Sequence, residues 1–555
     1  MELKQSQQHE TGFARSRRSK RVLLAAIALI ASWSAASCSY GVEAESSVPQ
    51  GRVTKGPCLL RVQQDRIALM WETDTGAASG VSYGQEGQPQ AYRESTAEKV
   101  TYKDLTDGKR KIAYIHKLWI DGLKPGRAYR YRITGPDVQS ETFEFHTTPA
   151  QTDEVRFIVY GDTRTQPDVH RKLVEQMMKH EVDFVVNGGD LAASGDDYRL
   201  WGPQFFEPLK GLVERVPIYI AKGNHEGRNG TYEKLLVPPG EGNDFTFDYG
   251  PLHYCCLDNV FSKKSGVQLV GQIVRDAKAS KALWKFVSYH IPSVNFGGHK
   301  SAWQQKEVLP AFAGAGIDFV VTGHSHQYER FRPVEPPGEG SYVTYLTAGG
   351  GGAPLAPVAP TPCHVRAQAV YHFCLFHIKG GRLTMDTIDS EGRTIDHLEI
   401  TKQDGRLDEP YRSTAMPIGS VLLCRSLCEG MEDALSAKPE KGRPCTVGFD
   451  VVVPPLPGGV TLTFALRGDP QAYQLPQPYT ATVSAEGGKT HVKLVMTPIA
   501  AVRVPKGKLT QAVPIEPALW IDCHYEFGRT KETVSRPVTV GSGSILRWIM
   551  NGGQD

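Results

Sequence analysis

A chain of 555 residues with 40% hydrophobic and 22% charged side chains carries apolar mass for about three to four domains, which excludes a disordered, collagenous or polytopic membrane protein. The net charge of +3 hides an asymmetry, because residues 1–37 hold six basic and two acidic side chains, and without them 57 basic residues face 58 acidic ones, a balance of −1. The body therefore lacks the positive field that draws proteins onto nucleic acid, and no nucleic-acid surface is expected.

In chain order, the basic cluster at residues 15–21 precedes an apolar run at 22–31 and then small residues up to Cys38. A basic region, a short apolar region and a small-residue site read as a signal peptide over 1–37, and the run is too short to span a bilayer. The expected location is thus periplasmic or cell-surface. Ala35-Ala36-Ser37-Cys38 resembles the lipobox of bacterial lipoproteins, which would attach the chain to a membrane through lipid on Cys38; plain cleavage near Ala36 or Ala44 is the alternative. Nine further cysteines fit an oxidising compartment, with Cys363/Cys374 and the group Cys424, Cys428 and Cys445 read as disulfide partners and a zinc site at Cys424-x3-Cys428 as the alternative.

Residues 50–148 alternate apolar and polar over short runs separated by turns such as Gly122-Leu123-Lys124-Pro125-Gly126, which predicts a β-sandwich of fibronectin or immunoglobulin type. Residues 147–153 read as a linker. From 154 to 400, strands alternate with helices, including a helix expected over 168–180, which gives an α/β sheet with helices on both faces. Residues 410–555 return to short strands, a β-rich module whose role is open between packing, oligomerisation and binding a surface polymer.

The central strands end in polar residues, where open α/β sheets bind ligands. Six of these are metal-ligand types: Asp162, Asp190, Asn224, His290, His324 and His326. Carboxylate, amide and imidazole groups converging on one point suit hard and borderline cations. Six ligands exceed the need of one tetrahedral ion, so a pair of ions sharing a carboxylate is expected. The Gly349–Gly352 run reads as a flexible loop, with close backbone approach to substrate as the functional alternative.

Gly161-Asp162, Gly189-Asp190, Gly223-Asn224-His225-Glu226, Val287-Ser288-Tyr289-His290 and Gly323-His324-Ser325-His326 resemble the five blocks of calcineurin-like metallophosphoesterases. Lys55-Gly56-Pro57, Met70-Trp71-Glu72 and the Gly122–Gly126 turn resemble the N-terminal domain of the purple acid phosphatase branch. The resemblance covers residues 50–400 and implies a two-sheet α/β/β/α sandwich. It implies Asp190 as bridging carboxylate, Asp162 and His326 at the first metal, and Asn224, His290 and His324 at the second. It further implies His225 near the phosphate and leaving group, and His299 as a substrate-facing histidine, unless His299 is an exposed loop residue.

Two departures bear on the first metal. The tyrosine that gives this branch its colour is Ala193 here, and Tyr198 has the wrong spacing to replace it. The histidine that other branches place two residues after the first aspartate is Arg164, which reads either as a phosphate clamp or as an exposed side chain of no consequence. The expected cofactors are two divalent ions (Fe, Mn or Zn) without Fe(III)-tyrosinate. The expected activity is hydrolysis of a small phosphate ester, most simply a phosphomonoester as in acid phosphatases. Phosphodiesterase or nucleotidase action on the same site is one alternative, and a lipid-tethered binding protein with a degenerate metal domain is another.

Overall fold

The computed structural model describes residues 51–540 apart from 105, 300, 336–337, 339–340, 432–434, 436–438 and 504–512. The expected signal peptide, Cys38 and residues 541–555 lie outside the described residues. No described helix is long and apolar enough to cross a membrane.

The first module is a sandwich of two four-stranded sheets. Its strands obey the period-2 rule: in Ala128–Thr134, Tyr129, Tyr131 and Ile133 face inward while their neighbours face out. Trp71 fills the centre, stacked 5.0 Å from the His116 ring, with its indole N–H donated to Ser79 Oγ at 3.0 Å. This sandwich is tied to the next module by named bonds. Tyr131 donates to the Glu214 carbonyl at 2.8 Å, Tyr219 donates to the Val62 carbonyl at 3.0 Å, and the Leu59 amide donates to the Val213 carbonyl at 2.8 Å.

The central module has the two sheets that the resemblance implies, where strand–helix alternation by itself suggests one. One seven-stranded sheet is built on parallel strands Glu154–Tyr160, Phe184–Asn187 and Ile218–Ile220, extended by antiparallel strands beginning with His372–Lys379. The second is built on parallel strands Leu252–Cys256, Trp284–Tyr289, Phe319–Thr322 and Thr344–Ala348. The sheets meet over an aromatic layer in which Phe157 stacks on Phe184 at 5.0 Å and meets Phe286 edge-on at 5.5 Å, and Phe286 stacks on Phe319 at 4.6 Å. Strands buried on both faces read as continuous apolar runs whether one sheet or two contains them, which is why periodicity alone does not count the sheets. The helix expected over 168–180 is Pro167–Met177, buried through His170, Leu173, Val174 and Met177.

Among the described residues the last module holds sheets of three, four and two strands preceded by a helix, Ile418–Gly430, which the strand reading did not anticipate. Val421, Leu423 and Leu427 of this helix join one apolar cluster with Val308, Leu309 and Phe312 of the central module and Phe449 and Phe464 of the last sheets. Arg425 donates from Nη1 to the carbonyls of Asn295 at 3.0 Å and Ser301 at 2.9 Å, so the helix braces the loop that carries His299.

The cysteine expectations are corrected. Cys363 and Cys374 are separate buried thiols, and Cys374 lies against Thr387 Oγ1 at 3.7 Å in the core between the sheets. No disulfide links Cys424, Cys428 and Cys445; Cys424 instead hydrogen-bonds the thiols of Cys363 and Cys428.

Candidate metal centre

Each of the six polar residues stands just beyond a parallel strand or on the short turn that follows it, so the twist of the two sheets brings their C-terminal ends together. Three of them hold a left-handed backbone that L-residues rarely adopt: Asp162 (φ 59°), Asp190 (φ 60°) and His324 (φ 69°). The strain turns each side chain inward, and the local hydrogen bonds hold it there. The Asp162 amide donates to the Gly189 carbonyl at 2.8 Å, and the His324 amide donates to both Asp162 carboxylate oxygens at 3.0 and 2.8 Å.

The donors fall into two groups around Asp190. Asn224 Oδ1 lies 2.9 Å from His290 Nε2 and 2.9 Å from His324 Nδ1, and His290 Nε2 lies 3.3 Å from Asp190 Oδ1. On the other side, ligand atoms of Asp162, Asp190 and His326 all lie within 4.8 Å of one another. The tautomers follow from the second hydrogen bond of each ring. His290 Nδ1 donates to the Gly188 carbonyl at 2.8 Å and His326 Nδ1 donates to the Pro354 carbonyl at 2.8 Å, so both rings turn Nε2 toward the carboxylates. His290 Nε2 faces carboxylate and amide oxygens, which calls for a proton or a cation between them, and His326 Nε2 meets the Arg164 guanidinium at 3.3 Å. The charges say the same: burial works against a charged His290, but Asp190 and Asp162 push it up to about 10. The donor set therefore fits two cations sharing Asp190.

Arg164 is not an idle surface residue. Its guanidinium, 15% exposed, donates from Nε to Asp190 Oδ2 at 3.4 Å and from Nη2 to His326 Nε2 at 3.3 Å. His225 donates from Nδ1 to the Ala193 carbonyl at 2.7 Å, which leaves Nε2 as its free nitrogen, 3.8 Å from Asp190 Oδ2. His299 is exposed, yet its ring lies 4.5 Å from that of His324 and 5.6 Å from that of His326, so it edges the same opening. Tyr198 goes elsewhere. It is buried, its hydroxyl donates to Glu72 Oε2 of the first sandwich, and Lys55 sits over its ring at 4.5 Å.

One residue of the site was not singled out from the sequence. Glu226, 1% exposed, accepts N–H bonds from Asp190 at 2.9 Å, Leu191 at 2.7 Å and Gly223 at 2.6 Å. It thereby fixes the loop of Asp190 against the loop of Asn224 and His225. Its signal lay in the Gly223-Asn224-His225-Glu226 block itself, where only the histidine and asparagine look like chemistry. The Gly349–Gly352 run is corrected as well. It is buried, and a Cβ on Gly349 would sit 2.1 Å from the Ser325 carbonyl oxygen, and one on Gly351 would sit 2.3 Å from that of Gly161. The run packs against the backbone of the turns that carry Asp162, His324 and His326.

Residues 155–328 match the calcineurin-like phosphoesterase family, and residues 59–147 match the purple acid phosphatase N-terminal domain. The fold and these matches define a metal-dependent phosphoester hydrolase. Within that class these two modules resemble those of purple acid phosphatases. The chain is 28% identical over 319 residues to purple acid phosphatase 21 of Arabidopsis thaliana, covering 52% of this chain and 69% of the relative. It is 24% identical over 337 residues to acid phosphatase type 7 of Homo sapiens, covering 53% and 74%. Among solved structures, a purple acid phosphatase from yellow lupin (Lupinus luteus) seeds shares the fold with a TM-score of 0.55 and 19% identity, over 63% of this chain and 74% of that one. That family uses a dinuclear metal centre.

Proposed function

We propose that the chain is an exported phosphomonoesterase whose dinuclear centre is held by Asp162, Asp190, Asn224, His290, His324 and His326. The observation that carries this reading is the gathering of donor groups around Asp190, with Asp162, His290 and His326 against its carboxylate and Asn224 joining His290 to His324, and with the His290 and His326 tautomers fixed so that Nε2 points inward. The ions, when bound, supply Lewis acidity toward a phosphoryl oxygen and an attacking water. The residues of the chain do the rest. Arg164, already aimed at Asp190 and His326, presents its remaining N–H groups to a phosphate oxygen. His225 keeps Nε2 free to hold a proton near the leaving group, because Nδ1 is committed to the Ala193 carbonyl. His299, at the rim of the opening, faces the rest of a small ester.

With Ala193 in place of the coloured branch's tyrosine and Tyr198 bound to Glu72, neither position offers a phenolate to Asp162, Asp190 and His326, so divalent Fe, Mn or Zn suits that group better than Fe(III). The relatives' names, acid phosphatase and purple acid phosphatase, support a monoester. On the same reading the 1–37 leader directs the chain to the periplasm or cell surface, and Cys38 is the residue a diacyl lipid would occupy. The test is a panel of an aryl phosphate monoester and its diester, run on the mature protein with its N-terminal mass determined. Faster turnover of the monoester by ten-fold or more is expected; preference for the diester, or an intact Met1, would overturn the corresponding part.

A further inference from the structure

A second constellation of ligand-type side chains lies on the outer face of the other sheet. His253 and Cys255, two apart on strand Leu252–Cys256, point to the same face. Helix Gly266–Ala279 crosses that face and brings Asp276 from its last turn. Cys255 Sγ lies 3.4 Å from His253 Nε2 and 3.3 Å from Asp276 Oδ2, and His253 Nε2 lies 3.0 Å from Asp276 Oδ2. Thiolate, imidazole and carboxylate around a tetrahedral zinc, with metal–ligand bonds of about 2.3, 2.05 and 2.0 Å, would stand about 3.6, 3.5 and 3.3 Å apart in the same order. Each observed separation is short of that by about 0.2–0.3 Å, within the movement of a side chain.

The neighbours suit a metal too. His253 Nδ1 meets Asp248 Oδ1 at 2.7 Å, across the ladder that pairs Asp248 with His253. With Nδ1–H donated to that carboxylate, Nε2 is left as the lone pair facing Cys255 and Asp276, the carboxylate–histidine arrangement that supports metal-bound imidazoles. Lys285 lies nearby, its Nζ donating to the Ala277 carbonyl at 2.6 Å. A thiolate and two carboxylates balance one divalent ion plus this ammonium. His253 and Cys255 are buried while the Asp276 side chain is 35% exposed, which gives an ion an entry path and a fourth position for solvent.

We propose that His253, Cys255 and Asp276 form a binding site for a single borderline divalent cation, zinc by preference, with Asp248 orienting the histidine. The ion clips helix Gly266–Ala279 onto the sheet. A sulfur ligand favours zinc over magnesium or calcium. The site is separate from the phosphatase centre and does not rest on the function proposed for it.

The test uses the mature, metal-stripped protein and cobalt(II) as the probe. A thiolate bound to cobalt gives a charge-transfer band in the near ultraviolet; the phosphatase centre contains no sulfur ligand, and loss of the band in Cys255→Ser but not in Cys424→Ser assigns it to this site rather than to the Cys363, Cys424 and Cys428 thiols. Cobalt added beyond the two ions of the phosphatase centre should produce a band that saturates at one thiolate-bound cobalt per chain, zinc should displace it, and Cys255→Ser should abolish it while leaving phosphatase activity in place. Asp248→Asn should weaken cobalt binding about 10- to 100-fold. No band in the wild-type protein, or a band that survives Cys255→Ser, would overturn the proposal and leave an Asp248–His253–Asp276 ion-pair chain that only ties helix to strand. Should Cys255→Ser be insoluble, Asp248→Asn decides, and unchanged cobalt affinity counts against the site.

Discussion

Glu226→Gln tests the reasoning about how the metal-bearing loops are held. In the wild-type protein one carboxylate oxygen accepts from the Asp190 and Gly223 amides and the other from Leu191. A glutamine keeps the first pair only by turning its NH2 toward the Leu191 amide, placing donor against donor. One orphaned buried N–H costs about 1–3 kcal/mol, and two bonds that lose charge assistance cost about 1 kcal/mol each. Against this, burial and the neighbouring Asp190 push Glu226 up to about 7, so removing its charge relieves repulsion. The net expectation is a loss of about 2–3 kcal/mol, equivalent to about 30- to 150-fold in an equilibrium constant. It is read as weaker metal binding where the loops relax in the metal-free protein and as lower stability where they cannot. Chelator competition and urea unfolding, run together on wild type and variant, measure the sum. A variant within about 0.5 kcal/mol of wild type in both would show that the three N–H bonds do not hold the centre.

His225→Ala should keep its metals and lose about 10²–10⁴ in turnover, the usual range for a general acid–base group, as read by metal analysis beside steady-state kinetics. Iron-loaded protein should show no strong visible band, because Tyr198 is engaged with Glu72; a band that vanishes in Tyr198→Phe would refute that placement. Arg330 and Asp396 form a nearly buried bidentate pair at 2.6 and 2.8 Å, so Asp396→Asn should cost about 3–5 kcal/mol in unfolding experiments by leaving Arg330 uncompensated. Burial alone would raise Asp396, but Arg330 and Tyr328 hold it below the usual carboxylate range. Its contribution is therefore full above about pH 4 and is lost as pH falls through the lower folded value, a loss that Asp396→Asn should not show.

The ligand candidates were legible because chemistry and local structure coincide in the sequence. A strand that ends in Gly-Asp or Gly-His announces both a sharp turn and a polar side chain at the sheet's C-terminal edge. Glu226 was not legible, since a carboxylate that bonds only backbone amides looks like any acidic turn residue until the Asp190 and Leu191 N–H groups are seen around it. Cysteine spacing gave the wrong partners: Cys363 is eleven residues from Cys374, yet its sulfur contact is Cys424 on a helix from the last module. That helix, Ile418–Gly430, hid because it is apolar on most sides, packed between two modules, and so shows little of the polar face that marks a surface helix. The expectation for Tyr198 rested on spacing and pointed away from the metals, but its destination on Glu72 is a contact across 126 residues that no local pattern carries.

The central claim is that one carboxylate, Asp190, holds two cations together for phosphoester hydrolysis. Metal content per chain and aryl phosphate turnover, measured side by side on wild type and Asp190→Ala, test it most directly. The account predicts that the variant carries two ions fewer than the wild type and loses nearly all turnover, because the remaining donors would hold two like charges with nothing between them. An Asp190→Ala protein with the wild-type complement of metal, or with wild-type turnover, would contradict it.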